Sequence, residues 1–572
     1  MRSSRNPLIF ALALQASLLC APAYSFCGFY AGKADATLLN TTSQVVVVRD
    51  GNRTVLSMLN NYSGPLTEFA LIVPTPVVLL RGQVRVAEGE VFERLNAYSS
   101  PRLVEYYDGD PCRTDFAWGQ NLYSGRAETI SPAAAISVSA TRARDLALGV
   151  TVDARYSLEE YDIVSLSARR SDGLEIWLRE NGYKIPKGAS AALKPYINQG
   201  MKFFVAKVNL ERQAKTGYTM LRPLQFAYES EKFMLPTRLG MLNAPPDEPQ
   251  DLIIYFLTRE GRVESSNYRT TPLPAGVYLP AFIKPRFQDF YTAMFDTVSK
   301  REDYRAVFTE YFWDMSWCDP CAAEPLSPEE LQKAGVFWLD GDAEKGFKAF
   351  QSPVSSNARV AVPSGGAVPV KLTRLHVRYT PRTFPEDLMF IQTGDRRNWQ
   401  ARYIVQNPYG GSVSECAERV GKMECATMCN DRVSEVRAAL GSQETNQEPE
   451  TPQDKSPTVT VEGSRIGWIG WRALAAYRGK SPRALQGECV AACSASKAQG
   501  LEAASRYYEK DLPERITVEK QTLAQLTGWS LHDIDAMPGA RRFSRDSPVK
   551  SATPRSTVAR LSQPSWHKLF SD

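Results

Sequence analysis

Ten cysteines and three histidines frame the chemistry open to this chain of 572 residues. Four of the cysteines stand as two CxxxC pairs, Cys425/Cys429 and Cys489/Cys493, in segments with helical spacing. Four residues is about one helical turn, so each pair occupies one face. The first face continues through Val433, Val436 and Leu440, the second through small Ala492 and Ser496. Two antiparallel helices meeting on those faces would close Cys425–Cys493 and Cys429–Cys489. A four-thiolate zinc site is the alternative, but zinc ligands more often follow CxxC spacing, so no metal is assigned. Cys318 and Cys321 lie in Trp317-Cys318-Asp319-Pro320-Cys321. Such a pair can close a structural bridge, the leading reading. It can also do redox chemistry, with Cys318 as nucleophile and Cys321 as resolving thiol. Of the rest, Cys27 with Cys112 is the expected pair and Cys416 the odd thiol, although the sequence equally allows exchange of partners with the CxxC.

The histidines close more possibilities than they open. His376, His532 and His567 have no metal-ligand spacing, and a hydrolase triad would rest on one isolated imidazole. His376 alternates within a strand-like segment and reads as a satisfied core or surface residue. No phosphate loop, dinucleotide fingerprint or nucleophile elbow is present, so no cofactor is implied. Asp108 and Asp110 sit in a Gly/Pro-containing turn and read as solvated turn formers.

Residues 1–25 have the layout of a secretory signal: Arg2 and Arg5, an apolar run from Leu8 to Leu19, then Ala23 and Ser25 before Phe26. The apolar run is too short to span a bilayer, and no later segment qualifies, so no transmembrane helix is expected in the mature chain. Cys20 raises lipid attachment, but the bulky Leu19 disfavours it. The expected setting is exported: periplasm, cell envelope or medium, where cysteines pair. The formal charge of +5 is uneven: the tail 540–572 carries seven basic residues against Asp546 and Asp572. Contact with an envelope polymer or anionic lipid is the partner expected for that tail. Without interleaved aromatics it is a poor nucleic-acid binder.

These residues need elements to hold them. SQVVVVR, Asp50-Gly51 and NRTVLSML predict a hairpin over 43–60. Strands are expected at 68–73, 77–86 and 161–168, and further on in MKFFVAKVN, LQFAY and DLIIYFLT. Short helices are expected at 89–99, 173–181 and 190–199. Two aromatic-striped helices are expected over 286–315, the second carrying Tyr304, Val307, Phe308, Tyr311, Phe312 and Met315. Ser327-Pro328-Glu329-Glu330 marks a further helix start. The expected class is α+β. A mixed or antiparallel β-rich part with short helices (26–285) leads to a helical segment bearing WCDPC (286–340) and a second β-rich stretch (341–410). A disulfide-stapled helical hairpin (411–440 plus 480–512), interrupted by a polar loop (441–464), precedes the disordered basic tail (540–572).

WCDPC resembles the WCxPC motif of thioredoxin-type proteins over those five residues, not over a domain. There the first cysteine opens a helix. Here the helix start lies six residues beyond Cys321, and the aromatic segment before the motif does not read as a buried strand. A broader resemblance rests on FCGFYAGKADATLLNTTSQVVVVRDGNRTVLSMLNNY, AYSSPRLVEYYDGDPC and the WCDPC stretch ending GVFWL. They resemble exported bacterial proteins of the domain-of-unknown-function 2330 family, from about residue 26 to about 410. The resemblance implies an envelope or secreted setting and no activity. Two functions follow: a non-enzymatic exported protein of unknown ligand, or an exported thiol–disulfide oxidoreductase using Cys318 and Cys321.

Overall fold

The computed structural model describes residues 29–32, 39–40, 43–59, 62–63, 69–113, 149–181, 183, 188–216, 221–243, 249–317, 319, 324–339, 343–351, 368–444 and 479–540. They fall into two compact units. One takes its residues from within Met1–Val104, Ile130–Val277 and Tyr291–Tyr403, the other from within Glu105–Thr129, Tyr278–Phe290 and Ile404–Asp572. The class is α+β.

The first unit is built on two sheets. The larger runs Arg269–Pro272, Ala306–Asp314, Lys371–Tyr379, Gln250–Thr258, Ser43–Asp50, Arg53–Leu59, Leu224–Glu229, Val84–Val86, with Trp399–Gln400 also pairing on Ala306–Asp314. It is mixed, because Gln250–Thr258 runs parallel to Ser43–Asp50 while most neighbours are antiparallel. The smaller sheet is antiparallel: Phe29–Gly32, Phe69–Thr75, Lys202–Val208, Tyr161–Ala168, Val150–Leu158.

The two sheets share one core. Val45, Leu56, Phe226, Ile254 and Leu375 of the larger meet Leu71, Ile163, Phe204 and Ala206 of the smaller. The outer face of the smaller sheet is covered by helices Ser171–Glu180 and Ala189–Asn198, through Leu174, Leu178, Leu193 and Tyr196. The outer face of the larger carries Glu90–Ser99 and Pro328–Lys333, through Phe92, Leu95 and Leu331. The result is four layers, helix–sheet–sheet–helix, so strands in the middle bury both faces and lose simple alternation.

That explains one correction. The segment expected as a second aromatic helix is the strand Ala306–Asp314, central and buried. Its apolar residues at 307/308 and 311/312 imitate helical spacing because both faces are covered, and a bulge between Thr309 and Tyr311 resets the alternation. The preceding helix, Phe287–Arg301, does form. The hairpin closes at Asp50↔Arg53, so its turn is Gly51-Asn52, one residue later than expected, with Gly51 supplying the positive φ. Of the strand expected at 77–86, only Val84–Val86 forms, after a short 3₁₀ turn at Arg81–Gln83. Ser327 caps the helix Pro328–Lys333 with Glu330 reaching back, as the capping-box pattern requires.

The second unit is largely helical: Val413–Gly421, Cys425–Glu444, Pro482–Arg506, Leu512–Thr527 and Leu531–Ala536. Ser412, Ser481 and Ser530 each cap a helix with a side-chain oxygen. A π-helical turn, Tyr507–Asp511, joins Pro482–Arg506 to Leu512–Thr527 without a break.

Candidate functional site

The bulge in Ala306–Asp314 has a chemical consequence. Two consecutive residues, Glu310 and Tyr311, stand where one would, and Glu310 meets Arg374 and His376 of the neighbouring strand in a setting where Glu310 itself has no exposed surface. Arg374 Nε donates to Glu310 Oε2. The other carboxylate oxygen accepts from Tyr291 of helix Phe287–Arg301, and His376 Nδ1 lies 2.7 Å from it. On its far side His376 Nε2 lies 3.4 Å from Asp251, an ion-pair distance without hydrogen-bond geometry. Arg378 grips Asp251 with two bonds of 2.8 and 2.7 Å. Asn96, Tyr255 and Gln44 complete the set, Arg374 Nη1 donating to Asn96 Oδ1 at 2.7 Å and Tyr255 to Gln44 Oε1 at 3.1 Å.

Electrostatics lock each member in one state. Burial penalises a charged Glu310, but Arg374 and His376 outweigh it and bring its pKa down to about 2. Burial likewise opposes a charged His376, yet Glu310 and Asp251 raise its pKa above the ordinary histidine value. Asp251 is held below the usual carboxylate range by Arg378 and His376 against its own desolvation. Burial and the adjacent Glu310 push Tyr291 well up. Glu310 is therefore an ionised acceptor, not a base awaiting a proton, and Tyr291 keeps its hydrogen. The set reads as a structural ion cluster. His376 is buried in its strand, with Nδ1 on Glu310 and Nε2 only at ion-pair distance from Asp251, so the expected satisfied histidine is satisfied at one nitrogen; Glu310 and Asp251 had no signal in the sequence.

In the second unit, the turn residues Asp108 and Asp110 are half-buried and ion-paired rather than simply solvated, a correction to the sequence reading, while Asp110 does form the turn by accepting from the Cys112 N–H at 2.9 Å. Asp108 accepts from Arg515 Nη1 and Nη2 at 3.0 and 2.8 Å, from Gln406 Nε2 at 2.9 Å and from Tyr507. Asp110 pairs with Arg419. Arg515 Nε lies 3.4 Å from Glu519, whose burial raises its pKa to about 7, against the pull of Arg515 and with the push of Asp108.

The structure joins Cys425 to Cys493 and Cys429 to Cys489, with Cα–Cα distances of 5.7 Å in both bridges. The cystines form their own buried cluster: Cys429, Cys489 and Cys493, with Cys425 and Val490 packed against them, while Val433 and Leu485 of the same helices are also buried. The expected Cys27–Cys112 bridge is overturned, because Cys112 is bonded to Cys416. Cys416 is thus no odd thiol, and Cys27 lies outside the described residues. Spacing could not find this bridge, whose partners are 304 residues apart.

Cys318 and Cys321 also lie outside the described residues, as do the signal segment and the basic tail. Their neighbours are placed. Trp317 is 57 % exposed. Asp319 is buried, accepting from Tyr311 at 3.0 Å and from Gln400 at 3.1 Å. Among the described residues no group of three or more His, Cys, Asp or Glu could hold a metal ion. No helix there is long and apolar enough to cross a membrane.

The family model for the uncharacterized protein conserved in bacteria (DUF2330) matches residues 21–391, well over half of the chain. The chain belongs to that family. No curated protein and no solved structure gives a match. The match ends before the helices from Val413 onward, so Arg515, Glu519 and both helix-stapling bridges lie beyond it.

Proposed function

We propose that this is an exported, non-enzymatic component of the bacterial envelope or its surroundings, held in shape by disulfides and acting by binding a ligand still to be identified. The observation that carries the proposal is the helix pair Cys425–Glu444 and Pro482–Arg506, joined by two buried cystine bridges. Such a contact needs an oxidising compartment to exist. Residues 1–25 supply the route and the tail 540–572 a contact with anionic polymer or lipid. The test compares the full chain with one lacking residues 2–25, using thiol-reactive polyethylene glycol on cell fractions. The full chain should appear in the envelope or medium with six cysteines protected until reduction. The truncated chain should stay inside and react without reduction. A full chain retained in the cytoplasm with its leader intact overturns the proposal. Deleting 541–572 should weaken salt-sensitive envelope association, and unchanged fractionation removes that role for the tail.

A second reading, thiol–disulfide exchange through Cys318 and Cys321, gains support from the strand Ala306–Asp314. The motif follows a buried central strand, and an exposed Trp317 precedes the first cysteine. Its helix still starts late, at Pro328. Insulin reduction by the wild type and not by Cys318→Ser would support this reading over the first. Equal background rates would remove it.

A further inference from the structure

A π-helical turn in an otherwise continuous helix moves everything after it. Tyr507 and Arg515 are eight residues apart, which in an uninterrupted α-helix puts them roughly 80° out of line. The turn Tyr507–Asp511 accommodates one extra residue and rotates the following helix back by about 100°, so both side chains come onto nearly the same face. There they reach one target, Asp108, which Tyr507 and Arg515 bind together.

The clasp is unbalanced in charge. Both terminal nitrogens of Arg515 are taken by Asp108, leaving Nε toward Glu519 Oε1 at 3.4 Å, and neither atom of that pair makes a hydrogen bond although both are buried. Glu519 is 3 % exposed. One guanidinium therefore faces two carboxylates, with Gln406 and Tyr507 as neutral donors to Asp108. Other charges of the segment and of helix Leu512–Thr527 are paired elsewhere: Asp110 with Arg419, Glu105 with Lys284 and Lys520 with Asp535.

We propose that Asp108, Tyr507, Arg515 and Glu519 form a proton-operated clasp, which holds the 105–113 segment to helix Leu512–Thr527 while Glu519 carries a proton and loosens when it does not. The step is a simple ionisation: the Glu519 carboxyl releases its proton to solvent and leaves a second anion that competes with Asp108 for the one guanidinium of Arg515. The value of about 7 for Glu519 sets the loosening near neutrality. An acid raised above its unfolded value favours the folded arrangement most below that unfolded value, and the advantage is lost as pH rises through the folded one.

Hydrogen exchange of the full chain tests it, with rates corrected for the intrinsic pH dependence. Between pH 5.5 and pH 8.5, peptides covering 105–113 and 512–527 should lose protection by tenfold or more, while peptides from the stapled helix 425–444 hold steady. In Glu519→Gln, which carries no titrating proton, the loss should vanish. Wild-type protection that does not change with pH overturns the clasp. So does a pH response retained in Glu519→Gln, or one shared equally by 425–444.

Discussion

The imidazole of His376 lies flat against the ring of Phe295, centroids 3.8 Å apart and planes 11° from parallel. Arg378 Cζ sits 5.0 Å from the same phenyl centroid. One phenyl ring thus packs against both basic groups while Glu310 and Asp251 supply the opposite charge. The carboxylate that matters most is Glu310, because it alone faces Arg374 and His376 together.

Replacing Glu310 by alanine should therefore cost about 3–5 kcal/mol in urea unfolding, the usual range for stranding a buried charge. In the double variant Glu310→Ala/Arg374→Met the loss should be smaller than in Glu310→Ala alone. Losses that simply add would show that the two residues do not act as a pair.

Stability of the first unit should fall at both ends of the pH scale. The raised His376 contributes stability that is full below its unfolded value of about 6.5 and is lost as pH rises through the folded value. Glu310 works oppositely: its contribution is full above about 4.5 and disappears as pH falls toward about 2. His376→Gln should flatten the alkaline limb and leave the acid limb standing, as read from unfolding midpoints in buffers from pH 3 to 10.

A non-reducing peptide map should contain Cys112 joined to Cys416 and should contain no Cys27–Cys112 species. Removing the inner staple with Cys429→Ser/Cys489→Ser should cost roughly 2–3 kcal/mol in the chain-entropy model, since the remaining Cys425–Cys493 bridge already closes the long loop, and should expose 425–444 to limited proteolysis. Because Cys425 is the one half-exposed cysteine among these four, the Cys425–Cys493 bridge should yield first to a mild reductant.

A backbone test lies at Gly261. A Cβ there would stand 2.1 Å from the Thr393 carbonyl oxygen and 2.7 Å from that of Asp395. Gly261→Ala should destabilise by about 1–3 kcal/mol, visible as a lower thermal midpoint.

Where local pattern dominates, the sequence is legible. The hairpin of Ser43–Asp50 and Arg53–Leu59, the helix Glu90–Ser99 and the facing CxxxC helices all follow from spacing and turn chemistry within a few residues. Legibility fails where partners are remote. Glu310, Arg374, His376, Asp251 and Tyr291 come from four elements, and each alone looks like an ordinary polar residue of a strand or helix. Asp108 reads as a turn former because Arg515, its main partner, lies some four hundred residues on. The strand Ala306–Asp314 fails for another reason: burial on both faces erases the alternation that identifies strands, and one bulged residue supplies a false helical rhythm.

The Cys112–Cys416 bridge also sets a condition on biogenesis. Ribosomes make Cys27 before Cys112, then Cys318 and Cys321, and only afterwards Cys416. Joining thiols in the order they emerge would give Cys112 the wrong mate. The native bond therefore requires either that Cys112 stay reduced through the making of some three hundred further residues or that a mistaken bond be reshuffled later. Yield of correctly bonded protein should accordingly follow the host's capacity to isomerise disulfides more closely than its capacity to form them.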